Sequence, residues 1–213
     1  MDALSLVLEV TVLTAAGVLS PGPLTFATVA EGAKGGWRAG LRVALGHMAV
    51  ELPLLVLLAL GLAPLLESPS VGKLLSTVGG VALVLYALLT LKAAISLRSQ
   101  ELPESSAEGR GALAAGVAFT LFNPHFLLWW ATAGAKLVSD AVTALGGVVL
   151  GLAALYAAHV WMDFAWLSVI AYMGSRGAKA SPRVLAVVLA LLSVAMGYYG
   201  VSFLAAGIGF ISG

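Results

Sequence analysis

Cysteine is absent from the 213 residues. That excludes disulfides, thiol redox chemistry and metals held by thiolates. Charge is scarce: Asp, Glu, Lys and Arg make up 10% of the chain, against about 25% in a soluble domain. Basic residues form no cluster, so no nucleic-acid partner is expected, and a net charge of +1 points to no other. Also missing are a His-Glu-x-x-His zinc motif, a Gly-x-Ser-x-Gly nucleophile elbow and a Gly-x-Gly-Asp motif. Ser175 sits between Gly174 and Arg176 with no base nearby in sequence. Neither an enzyme nor a cofactor is expected. What fills the chain is hydrocarbon: 61% of residues are hydrophobic, with a mean hydropathy of +1.04. Such a chain is an all-α membrane protein whose main partner is the lipid bilayer.

A helix needs roughly 20 mostly apolar residues to cross the hydrocarbon core. Six stretches qualify, at about 4–31, 39–65, 72–97, 112–135, 142–174 and 184–211. No Lys or Arg precedes Lys34, so the basic start of a secretory signal is lacking and the first helix is expected to be retained. Lys34, Arg38, Arg42, Lys92, Arg98, Arg110, Arg176, Lys179 and Arg183 fall at the loops after helices 1, 3 and 5, whereas only Lys73 and Lys136 fall on the opposite side. The positive-inside rule then makes the first set cytoplasmic and both termini extracytoplasmic. This is the pattern of a multi-pass plasma (inner) membrane protein.

The longest linker, residues 98–111, contains Pro103, Ser105, Ser106 and glutamates. It separates a first three-helix repeat, 1–97, from a second, 112–213. Because three is odd, the halves insert in opposite orientations, as in an inverted-topology repeat. Paired features support a repeat. Helix 2 reads Gly36-x3-Gly40 and then His47-x3-Glu51; helix 5 reads Gly147-x3-Gly151 and then His159-x3-Asp163. Helices 3 and 6 carry Ser76-x3-Gly80 and Ser193-x3-Gly197. The glycine pairs most often mean close helix approach.

Helices 1 and 4 are broken, at Ser20-Pro21-Gly22-Pro23 and at Asn123-Pro124. Proline removes a backbone donor and clashes with the preceding turn. In lipid, the freed groups are tolerated only against protein or a cavity. Matching breaks in two halves are the best sequence pointer to a transporter's binding site. A half-helix N-terminus offers free N–H groups and a positive dipole end. The segments beginning near Leu24-Thr25 and near His125-Phe126 therefore suit a carboxylate. The blander reading is a pair of proline kinks that ease packing. Trp129 and Trp130 follow the second break, and either cavity lining or packing explains them, as for Trp161 and Trp166.

His47, Glu51, His159 and Asp163 lie inside predicted spans, where a charged group costs roughly 3 kcal/mol on insertion scales. Spacing of four places each histidine beside the carboxylate on its own helix. Two structural neutralising pairs would satisfy that pattern. So would convergence of all four at the repeat axis, to bind a proton, a cation or a substrate ammonium; imidazole suits proton coupling because it titrates near neutral pH. Glu9 fits either the outer interface or the bundle interior.

Ser20-Pro21-Gly22-Pro23 followed by a glycine-rich loop resembles the hallmark of the lysine exporter (LysE/RhtB) family. Phe122-Asn123-Pro124-His125-Phe126, running into Trp129-Trp130, is similar to that family's second Asn-Pro motif. The resemblance covers essentially the whole chain. It implies export of amino acids or similar small metabolites, driven by an ion gradient and often by a homodimer. Many members carry Lys after the second Asn-Pro, where this chain has His125. The His47/Glu51 and His159/Asp163 pairs also depart from the characterised lysine and homoserine exporters. Taking the breaks and the buried residues together, Ser20, Pro21, Gly22, Pro23, Thr25, Asn123, Pro124, His125 and Trp129 are expected to bind substrate, and His47, Glu51, His159 and Asp163 to couple it to protons. No metal site is assigned. The alternative is a divalent-metal exporter that uses those two imidazoles and two carboxylates as ligands.

Overall fold

The computed structural model describes residues 3–62, 69–98 and 110–209. Most of the 98–111 linker, including Pro103, Ser105 and Ser106, lies outside them. The described residues contain helices and turns but no strand. In chain order the helices are α1 (Ala3–Val18), α2 (Pro23–Gly35), α3 (Trp37–Ala59), α4 (Pro69–Arg98), α5 (Arg110–Leu121), α6 (Pro124–Trp129), α7 (Ala135–Leu145), α8 (Val148–Ala180) and α9 (Pro182–Gly207). A π-helical turn, Trp130–Gly134, joins α6 to α7.

Among the described residues, these nine helices make six spans when each bent pair is counted as one. α3, α4, α8 and α9 each cross alone, whereas α1 with α2 and α5 with α6–α7 form spans bent by 68° and 55°. Each break has the same local cause. A proline occupies the first turn of the following half-helix, Pro23 in α2 and Pro124 in α6, where its missing N–H costs nothing and its fixed φ favours helix. The residue before it, Gly22 or Asn123, is extended. Counted this way, three spans precede the 98–111 linker and three follow it, and each set opens with a broken span.

Several boundaries differ from the sequence expectation: α3 ends at Ala59 rather than near 65, and the fifth span runs from Val148 to Ala180 rather than over about 142–174. The first span continues to Gly35, and the fourth continues to Leu145 rather than ending near 135. Lys136 and Asp140 are therefore helical, and the turn before span 5 falls at Gly146, whose φ of 68° is left-handed. Lys136 bonds Glu9 of α1 at 2.6 Å and also Asp140. Glu9 is thus partly buried and paired across to the fourth span, with Lys136 well exposed.

The close-approach reading holds for some glycines only. A Cβ on Gly40 would lie 2.3 Å from the Leu167 carbonyl oxygen, and one on Gly116 2.2 Å from that of Val43. These contacts let α3 pack against α8 and α5. Gly151 lies against α7, and Gly80 against Gly200 on α9. Gly36 instead forms the α2–α3 turn at φ 63°, Gly147 is the residue preceding α8, and Gly197 faces open space. The Gly36/Gly147 match marks equivalent helix starts, not contacts. α4 and α9 pack along each other, and their large apolar side chains, such as Leu85, Leu88, Leu191 and Val201, point outward. Bare apolar faces of this kind are what lipid requires.

Candidate functional site

Both breaks line one cavity of about 360 Å³. Ser20, Pro21, Gly22, Pro23 and Thr25 form its first wall, and Asn123, His125 and Trp129 its second; Pro124 is the one expected binding residue that does not reach it. His47, Glu51, His159 and Asp163 line the same cavity. Leu24, Phe126, Trp166 and Tyr199 add apolar and aromatic surface.

The two half-helix ends differ. At α6 the Asn123 side chain accepts from the main-chain N–H groups of His125 and Phe126, at 3.1 and 3.4 Å. That is an N-cap, and it spends the donors expected to face a ligand. The expectation of an open end there is overturned, because Asn123 caps as well as breaks. At α2 the preceding residue is Gly22, and no side chain caps the helix. Its first-turn N–H groups, on Leu24 and Thr25, remain uncapped beside the cavity, since Pro23 has none.

Neighbouring helices crowd the four ionisable residues together. The glycine-mediated crossing of α3 and α5 sits at Val43, Gly46 and Gly116. One helical turn further along each helix stand His47 and Thr120, whose Nδ1 and Oγ1 are 2.8 Å apart. On the other side, Gly40 seats α3 against Leu167 of α8. That registers His47 and Glu51 against His159 and Asp163.

Spacing of four sets each histidine beside the carboxylate on its own helix, either as two separate pairs or as four converging groups; His47–Glu51 and His159–Asp163 do stand in contact, and the two pairs meet. Both imidazoles turn to Glu51 Oε1, His47 Nε2 at 3.1 Å and His159 Nε2 at 2.9 Å. Asp163 stands 3.1 Å from His159 Nε2 and 3.8 Å from His47 Nε2, yet its nearer oxygen Oδ2 has no hydrogen-bond donor. All four side chains are buried, Glu51 to 1% exposure. Its second oxygen, Oε2, also lacks a donor.

Three partners were not foreseen. His159 Nδ1 meets Thr14 Oγ1 on α1 at 3.0 Å, so each histidine bonds a threonine on the broken span of the opposite half. Trp130 Nε1 donates to Glu51 Oε1 at 3.2 Å. The π turn aims that indole, and Gly134 makes room for it: a Cβ there would lie 2.2 Å from the ring. Thr14, Thr120 and Trp130 come from helices remote in sequence, and threonine in an apolar helix is too common to signal a role.

One atom each from His47, Glu51 and Asp163 falls within 4.8 Å of the others, and all three residues are of types that ligate divalent cations. Nevertheless the imidazole Nε2 atoms and Glu51 Oε1 are engaged with one another, and His159 is outside the grouping. A metal would have to break the hydrogen bonds that organise the cluster, so the arrangement does not favour the metal-exporter alternative. Ser175, the one serine weighed for catalysis, donates to the Tyr172 carbonyl at 2.7 Å.

Neither the curated proteins nor the solved structures give a significant match to the chain. A family model does: the LysE type translocator matches residues 15–207. The match takes in both breaks, both histidine–carboxylate helices and five spans whole, with the first span from residue 15 onward. The chain therefore belongs to the LysE type translocators, a family of multi-pass membrane transporters that export small molecules.

Proposed function

We propose that this protein exports amino acids or closely related zwitterionic metabolites across the plasma membrane, driven by protons. The observation that carries the reading is that one cavity offers both signs of complement. On one wall the α2 N-terminus has no cap and suits a carboxylate. On another, Glu51 Oε2 and Asp163 Oδ2 are buried acceptors without donors. An unsatisfied buried acceptor costs about 1–3 kcal/mol, and a substrate ammonium supplies the missing N–H groups. A volume of about 360 Å³ is at the lower end of the roughly 300–1,000 Å³ range of small-molecule sites. Proton coupling is the role proposed for the His47, Glu51, His159 and Asp163 cluster, since bound protons set its charge. The nine-to-two distribution of Lys and Arg supports cytoplasmic α2–α3 and α8–α9 turns, with both termini outside. Residues 1–97 and 112–213 are proposed as the two repeats.

Competition separates this reading from its rival. In proteoliposomes exchanging a labelled amino acid, other zwitterions should compete, whereas amines without a carboxylate and acids without an ammonium should not. Calorimetric titration with Zn²⁺, Mn²⁺ and Co²⁺ is the counterpart. Tight metal binding that Glu51→Gln abolishes, with no amino-acid exchange by the unmodified protein, would establish the metal reading instead.

A further inference from the structure

The two histidines differ in one respect that the hydrogen bonds decide. A threonine hydroxyl has a single proton to donate. Thr120 Oγ1 donates to the Gly116 carbonyl at 2.6 Å, the back-bond to the preceding turn that threonines make inside helices. Its proton is spent there, so the 2.8 Å contact with His47 Nδ1 requires the proton to sit on Nδ1. Among the described residues Thr14 makes no bond to a main-chain carbonyl, and its partner is His159 Nδ1 at 3.0 Å. Its hydroxyl proton is free to be donated to that nitrogen. His159 is then satisfied as a neutral ring, accepting at Nδ1 and donating from Nε2 to Glu51.

We propose that Thr120 and Thr14 give the two histidines opposite tautomers and so different roles. Thr120 locks His47 as the Nδ1–H form, which confines its exchangeable proton to the 3.1 Å contact between Nε2 and Glu51 Oε1. Thr14 holds His159 as a neutral Nε2–H donor that fixes Glu51 in place. One proton then moves between His47 and Glu51: an imidazolium beside a carboxylate when on nitrogen, a neutral ring beside a carboxylic acid when on oxygen. The other ionisable groups facing this contact are Asp163 and His159 on α8, with Tyr156 behind, its ring 6.2 Å from that of His159. The surrounding α5, α6 and π turn present Thr120, Phe126 and Trp130, which carry no charge. Thr120 is thus a positioning residue. It touches no substrate and acts through His47.

The role given to the mobile proton rests on the proton-coupled reading above; the tautomers do not. Nitrogen-15 NMR of histidine-labelled protein, without substrate or gradient, reads them directly. The chain has three histidines, and His125→Gln and His159→Gln assign the signals. The expected result is His47 protonated at Nδ1 across the pH range with exchange at Nε2, and His159 as the Nε2–H tautomer when neutral. Thr120→Val removes the acceptor and should move neutral His47 to the Nε2–H form, with gradient-driven transport falling about ten-fold or more. Thr120→Ser should restore both. Should Thr120→Val fail to fold, the unmodified protein and Thr120→Ser still decide. Finding both histidines in the same tautomer, or neutral His47 as Nε2–H, would overturn the assignment. Correct tautomers in a protein that moves no amino acid would contradict the proposed export and leave the assignment standing.

Discussion

At Glu51, three N–H-bearing rings reach one carboxylate oxygen, from His47, His159 and Trp130, while the second oxygen meets none. This imbalance gives the residue two functions. On the proposed reading, Oε1 organises the cluster and Oε2 is left for a ligand. Glu51→Gln keeps the shape and removes the charge, so the two functions separate. Hydrogen bonds to charged groups are worth about 1.5–3 kcal/mol. Gradient-driven efflux should therefore fall about ten- to a hundred-fold, whereas exchange, which needs no net proton movement, should persist in part. Flux assays with and without an imposed pH gradient check this; equal losses in the two would contradict it. Much of the site is legible at this scale. Ionisable residues in an apolar span must find partners, which singles out His47, Glu51, His159 and Asp163 from sequence. Their shared focus on Glu51 is not legible, because i,i+4 spacing favours pairing within each helix and the α3–α8 register appears only on packing.

The broken spans show the same division between what local chemistry dictates and what packing adds. Pro21, Pro23 and Pro124 announce the breaks, but Asn123 reads as a breaker and proves also to be a cap. The polar residues Lys136 and Asp140 suggest a loop, and they are helical because they bond each other one turn apart. Replacing Pro21 and Pro23 together with alanine should let α1 run into α2, raising helix content slightly by circular dichroism and abolishing transport without blocking insertion. Undiminished transport would show that the first break serves packing. Glycines make a sharper comparison between elements. Gly116→Ala places a methyl 2.2 Å from the Val43 carbonyl, a backbone clash that cannot be relieved by a rotamer. It should cost about 1–3 kcal/mol and displace Thr120 from His47. Gly197→Ala meets nothing within 4 Å and should be neutral or slightly stabilising, since alanine favours helix over glycine by up to about 1 kcal/mol. Thermal denaturation in detergent ranks the two; comparable midpoints would contradict the α3–α5 crossing.

For the whole molecule, the proposed antiparallel halves rest on an odd number of spans in each, and the proposed cytoplasmic assignment rests on the Lys and Arg bias. The absence of cysteine makes this testable without background. Single cysteines at Gly36 and Ser181 should react with an impermeant maleimide only after the cytoplasmic side is opened, and those at Gly61 and Gly146 from outside in intact cells. The reverse pattern would invert the topology. An experimental structure should also superimpose residues 1–97 on 112–213 about an axis in the membrane plane. The apolar outer faces and the family are readable from composition and motif; the single shared cavity is not, because it needs both breaks and α3 and α8 in one place. The most direct measurement is transport by purified protein in proteoliposomes, with a panel of amino acids and an imposed pH gradient. A zwitterionic amino acid should move against its own gradient, and a protonophore should abolish that movement while exchange continues. If no amino acid moves, or if movement against the gradient continues with the protonophore present, proton-driven amino-acid export is wrong.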